Sequence, residues 1–281
     1  MQAAFLGVLL AAIFALFCEN VRTALQRQRR FVWVVPFLLT AYFAAASAVA
    51  GAISWELLLI VLAYTCAPVA CAWFGASDFL TIAFLWLPLE FPAGAAKLIA
   101  KHAQGFLHSV AYGIAILLGI VVFACYRGID GMKINWPREW GDLRRAILGF
   151  ALTAPVLAVV GIAIGFIPMP HWPSATAGKM VAAAGIIFAG TALPEEILFR
   201  AMIQNLLMQR FGSGVRTLIL AAFIFGAAHL DNGPQALPNW RYFILATIAG
   251  FGYGRVFQRS TTVLSSALFH MLVDWTKHFY F

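Results

Sequence analysis

Charge is scarce in this chain. Only 11% of its 281 residues are Asp, Glu, Lys or Arg, against about 25% in soluble domains, which excludes a water-facing globule of this length. Acidic residues number 11 against 19 Lys and Arg, so each carboxylate calls for a reason. Cysteine is rare too: Cys18, Cys66, Cys71 and Cys125 lie in or beside apolar runs, with no CxxC and no Cys/His zinc spacing. That excludes a disulfide framework or a zinc ribbon, and the four thiols read as small buried hydrophobes. Internal repeats, low-complexity tails and the dyad alternation of barrel strands are missing as well. So are the matched broken helices of an inverted-repeat transporter.

What the chain has is apolar length. Sixty-three percent of its residues are hydrophobic and the mean hydropathy is +0.87. Apolar runs fall at about 3–18, 31–53, 55–74, 78–92, 105–125, 146–168, 178–209, 216–230, 241–257 and 262–278. In lipid every backbone polar group must be satisfied within the segment, so such runs are helices. The expected fold is all-α: a polytopic transmembrane helical bundle of about 8–10 spans, since some runs are short or interrupted by proline.

The net charge of +8 follows the positive-inside pattern and carries no nucleic-acid signal. With ten spans and an outer amino terminus, 13 Lys and Arg lie in inner loops. Lys97, Lys101, Lys179, Arg241 and Lys277 lie at outer ends, and Arg200 is intramembrane. The first run has its basic cluster behind it, as a reverse signal anchor does. The expected location is a multi-pass protein of a bacterial inner or plasma membrane.

The polar stretch Tyr126–Arg145 divides the chain. The expected organisation is residues 1–125 as amino-terminal transmembrane helices without an assigned role, 126–145 as a polar loop, and 146–281 as a catalytic core. In the first part, Glu56 reads as interfacial, and Glu90, between Pro88 and Pro92, is a candidate to line a cavity. His102, His108, His171 and His278 read as interfacial.

Chemistry concentrates in the last third. Glu195 and Glu196 sit inside an apolar run, where an ionised carboxylate costs roughly 3 kcal/mol or more. On a helix Glu196 and Arg200 are i,i+4 and can form an ion pair. Glu195 is turned roughly 100° away from that pair, toward a cavity, as a general base requires. Pro194 predicts a helix that kinks or begins anew there, leaving both glutamates on a first turn whose dipole offsets their charge. Phe225 lies i,i+4 before His229, beneath its imidazole. His270 and Asp274 repeat the spacing, so the carboxylate can accept the ring N–H and fix its tautomer.

The series E-E-x-x-x-R, F-x-x-x-H and H-x-x-x-D over residues 146–281 resembles the CaaX-protease and bacteriocin-processing family of intramembrane proteases, which includes the Ras-converting CaaX endopeptidase. The resemblance implies a helical enzyme that hydrolyses a peptide bond within the membrane. Glu195 would be the base that activates water, assisted by His229. Glu196 would pair with Arg200, and His270 with Asp274 would support the oxyanion. Founding members have asparagine where this chain has Asp274, and an ionised aspartate cannot donate to an oxyanion. Either Asp274 stays protonated in its apolar setting or it orients and charges His270, which then donates alone; the orienting role is favoured. A metal-free glutamate mechanism is favoured. Zinc held by Glu195, His229 and His270 is the alternative, although no HExxH is present.

The implied partners are the lipid bilayer and a membrane-associated protein or peptide substrate, such as a C-terminal sorting tail or a lipidated tail. The competing functions are a non-catalytic scaffold or immunity protein on the same fold, and a proton-coupled transporter using the same ionisable groups. With Arg210 and Arg216 inside, His229 falls toward the outer end of its span. Glu195 lies about 15 residues, roughly 22 Å, from the inner loop, and a site at mid-membrane or outward favours C-terminal sorting tails or exported peptides over cytosolic prenylated proteins.

Overall fold

The computed structural model describes residues 1–90, 99, 101–233 and 236–281, with the backbone alone at 88–90. The side chain of Glu90 and all of Lys97 therefore lie outside the described residues. The structure is 78% helical, with no strands among the described residues, and the all-α class follows. Two compact units divide at Ile134 and Asn135, inside the polar stretch Tyr126–Arg145.

The first unit contains α1 (Gln2–Ala15), α2 (Glu19–Arg27), α3 (Val35–Val49), α4 (Trp55–Trp73), α5 (Asp78–Glu90) and α6 (Gln104–Ile120). Helix α6 runs on through a π-helical segment, Val121–Tyr126. Ser54 caps α4 by accepting the Leu57 N–H at 3.2 Å, satisfying a donor that the first turn leaves open. Its hydroxyl also donates to the exposed Glu56 at 3.0 Å. The core is apolar, with Phe43, Leu57, Leu107 and Ile114 almost fully buried. Arg127 and Asp78 form an ion pair.

The second unit contains α7 (Trp140–Ala163), α8 (Ala177–Phe211), α9 (Val215–Ala227), α10 (Trp240–Arg259) and α11 (Leu264–Tyr280). Helices α9 and α10 pack with their backbones unusually close. A Cβ on Gly226 would lie 2.0 Å from Thr247 Oγ1 and 2.8 Å from the Phe243 carbonyl. One on Gly254 would meet Gln204 Oε1 of α8 at 2.5 Å, where the Gln204 amide donates to the Gly254 carbonyl at 3.0 Å. Small residues permit such approach where no hydrophobic force between helices exists. At the start of α7, buried Asp142 accepts the Thr261 N–H at 2.8 Å and its hydroxyl at 2.5 Å. This ties the polar stretch to the α10–α11 connection.

Helix α8 departs from expectation at Pro194. Proline has no N–H and its ring collides with the carbonyl four residues back. The chain answers by widening rather than by starting a new helix. Phe188–Ala192 is π-helical, Leu193–Glu196 is α-helical, and Ile197–Gln204 is π-helical again. Glu195 and Glu196 therefore lie in mid-helix, without the help of a free amino terminus.

Five helices are long and apolar enough to cross a membrane: Arg29–Val49, Trp55–Trp73, Lys101–Tyr126, Trp140–Ala163 and Ala177–Phe211. A sixth arises if α1 and α2, bent by 83°, count as one span. The chain is an integral membrane protein with a polytopic helical architecture. The count by length and apolarity falls below eight because α5 and α9 are short. In addition, α10 carries Arg241, Arg255 and Arg259, and α11 carries His270, Asp274 and Lys277.

Candidate active site

Helix α8 supplies two carboxylates with different surroundings. Glu196 and Arg200 are both wholly buried, and Arg200 Nε donates to Glu196 Oε2 at 3.0 Å. The rest of the guanidinium lies against aromatic faces, 4.7 Å from the Phe225 ring centroid and 5.8 Å from that of Tyr253, an arrangement worth more when desolvated. The other Glu196 oxygen, Oε1, accepts from His270 Nδ1 at 3.1 Å. Glu196 thus bridges an arginine of α8 and a histidine of α11. The i,i+4 pattern gave the first link only, since the second crosses 74 residues of sequence.

Glu195 is less enclosed, its side chain 19% exposed. Its Oε2 lies 4.0 Å from His229 Nε2 and 3.9 Å from His270 Nε2. His229 follows directly on α9, and its Nδ1 donates to the Phe225 carbonyl at 2.8 Å. A carbonyl only accepts, so in the neutral ring Nε2 is the bare nitrogen. The Phe225 ring also packs on His229, with centroids 4.7 Å apart. On α11, Asp274 Oδ2 approaches His270 Nε2 at 3.5 Å. Both ring nitrogens of His270 therefore face carboxylates.

The seven residues singled out by spacing, Glu195, Glu196, Arg200, Phe225, His229, His270 and Asp274, thus meet in one cluster. Two tyrosines that the sequence pattern did not isolate complete it. Tyr253 stacks on His270, with centroids 4.5 Å apart and planes at 19°. Tyr242 meets His229 edge to face at 4.6 Å. Tyr242 lies 13 residues after His229 and Tyr253 lies 17 residues before His270, so only tertiary packing reveals them. A small cavity of about 90 Å³ opens onto His229, Tyr242, His270, Asp274, Thr276 and Lys277. Its remaining wall is largely aliphatic, from Leu157, Ile167, Leu245 and neighbours. The exposed His102, His108, His171 and His278 take no part in the cluster.

For the zinc alternative, the near atoms of Glu195, His229 and His270 are those separated by 3.9 and 4.0 Å. Among the described residues no group of three His, Cys, Asp or Glu side chains is arranged to hold a metal ion.

Carboxylates, imidazoles and phenols converging inside an apolar helical unit form the kind of enclosed polar site in which hydrolysis is feasible. The class has a family: residues 177–276 match the model for type II CAAX prenyl endopeptidase Rce1-like proteins, a span that holds all seven clustered residues. This domain supports placement in the CaaX-protease and bacteriocin-processing family and, in general terms, a CaaX-type intramembrane protease acting on a membrane-associated protein substrate. No curated protein and no solved structure matches the chain.

Proposed function

We propose that the protein is a glutamate-type endopeptidase that hydrolyses a peptide bond in the tail of a membrane-associated protein. The observation that carries this is the position of Glu195 Oε2, about equally far from the Nε2 atoms of His229 and His270. A water between Glu195 and His229 meets two acceptors, one a carboxylate able to take its proton. The water oxygen then bonds to the scissile carbonyl carbon, and the carbonyl electron pair moves to oxygen. Collapse breaks the C–N bond, and the proton held by Glu195 passes to the departing amine. His270, oriented by Asp274 and Glu196, supports the oxyanion. Glu196 and Arg200 serve as the structural pair behind it, and Phe225 fixes His229.

In this reading no metal takes part. Were zinc bound by Glu195, His229 and His270, it would supply a Lewis acid and an activated water. Metal analysis of the purified protein, with activity after chelation, tests this; stoichiometric zinc with chelator-sensitive cleavage overturns it. The substrate we favour is an exported C-terminal sorting tail, with a lipidated tail as the other member of the class. The outward placement of His229 under the positive-inside rule supports the first, and a bacterial plasma membrane is the matching location.

The direct test compares membrane-protein C-termini with and without Glu195→Ala. It is joined to cleavage by purified Glu195→Gln and His229→Ala proteins of unchanged helicity. Cleavage is expected to be lost in each variant. Persistent cleavage in Glu195→Gln removes the base assignment. Substrate flux coupled to pH and abolished by the same change, with no cleavage by the wild type, favours a transporter.

A further inference from the structure

The cluster is rich in acceptors and short of donors. Glu195 and Asp274 accept, and the neutral His229 ring presents a bare Nε2 because its Nδ1–H is held by the Phe225 carbonyl. His270 gives its Nδ1–H to Glu196, so only an Nε2–H remains for the oxyanion, and that nitrogen already faces Asp274 and Glu195. A tetrahedral oxyanion requires donors aimed at it, and an ionised aspartate at 274 offers none.

Tyr242 meets the need. Its ring stands edge to face with His229 at 4.6 Å and is held on its other contacts by Phe166 at 5.1 Å and the Lys277 ammonium at 5.0 Å. Its backbone is fixed as well, since Asn239 Oδ1 caps α10 by accepting the Tyr242 N–H at 3.0 Å. The side chain lines the cavity together with His270 and Asp274. Among the described residues the hydroxyl makes no hydrogen bond within the protein, leaving its proton for a ligand.

We propose that the Tyr242 hydroxyl is a catalytic oxyanion donor, taking the part that the asparagine amide would fill in relatives with asparagine at the position of Asp274. This rests on the hydrolytic reading above. The O–H donates to the oxygen of the tetrahedral intermediate and keeps its proton, so no bond to Tyr242 forms or breaks. The other donors on the cavity wall are Thr276 and Lys277. Tyr242 is favoured over them because it alone of the three packs on the His229 ring. Lys277 lies over the opposite partner, Phe166, as well as over Tyr242.

The test uses the full-length protein in lipid vesicles. The probe is an internally quenched peptide spanning the cleaved bond of a tail that accumulates in Glu195→Ala membranes. Tyr242→Phe keeps the ring and its packing and removes only the O–H. Its kcat is expected to fall roughly 10²–10³-fold, as for loss of one oxyanion donor, with KM little changed. Thr276→Val is expected to match the wild type. Unchanged kcat in Tyr242→Phe overturns the proposal, as does a rise in KM alone or a loss confined to Thr276→Val. An inactive Glu195→Gln beside a fully active Tyr242→Phe removes the tyrosine assignment and leaves the base intact. An active Glu195→Gln removes the base.

Discussion

At the scale of single residues, the two adjacent glutamates separate by what they touch. Glu196 has both oxygens engaged by buried partners, Arg200 and His270, so removing its charge leaves a buried guanidinium uncompensated. Arg200→Met and Glu196→Gln are each expected to cost about 3–5 kcal/mol of stability, the range for breaking one half of a buried pair. Thermal unfolding in detergent checks this; a Tm like that of the wild type would remove the structural role. Glu195→Gln is expected to leave Tm nearly unchanged while ending cleavage. Asp274 makes a separate prediction. If it acts ionised on His270, Asp274→Asn alters the acid limb of the pH–rate profile, and an unchanged limb removes that role. Spacing made the Glu196–Arg200 and His270–Asp274 pairs legible because helix geometry fixes i,i+4 neighbours. The Glu196–His270 bond and the two tyrosines were not legible, since nothing local encodes a contact between α8, α10 and α11.

At the scale of elements, the position of His229 depends on how closely α9 lies on α10. Gly226, three residues before it, faces the Phe243 carbonyl and Thr247 with no room for a methyl group. Gly226→Ala is expected to cost about 1–3 kcal/mol, as overpacking does, and to lower cleavage along with stability because His229 moves with the helix end. Tm and kcat measured together decide it; full activity at reduced Tm would show that the site tolerates the shift. Asp142 works on the other side of the unit. Asp142→Ala removes the acceptor for two Thr261 donors and is expected to destabilise by about 1–3 kcal/mol, the penalty for an unmet buried group. Faster amide exchange at 260–265 is the readout. The Asp142 link was invisible in a stretch that reads from sequence as a charged loop.

At the scale of the whole molecule, membrane residence was legible from composition alone, while the number of spans was not. Apolarity marks a span only where the segment has no polar work to do. In this chain α10 and α11 give up apolar character to Tyr242, His270, Asp274 and Lys277, and α5 and α9 are short. The positive-inside bias predicts the orientation. Reporter fusions after residues 135 and 235 are expected to read inside and outside respectively. An inside signal at 235 would turn the site toward the cytosol and with it the class of tail it meets. The division at residues 134 and 135 separates a first unit with no recognised motif from a second that holds the seven clustered site residues.

The wide turns on either side of Glu195 and Glu196 bear on chain length. A π-helical segment accommodates one residue more per turn than an α-helix would, and α8 has such a segment before the glutamates and another after them. Deleting one residue from either segment can be absorbed by return to ordinary helix, so the rod survives. The glutamates then keep their facing, because the residue removed is the one that the wide turn had taken up. The same deletion in the α-helical stretch Ala177–Ile187 has no wide turn of its own to absorb it and would turn that stretch by roughly 100° against the glutamates. Helix continuity and catalytic aim are thus buffered together in the π-helical segments of α8.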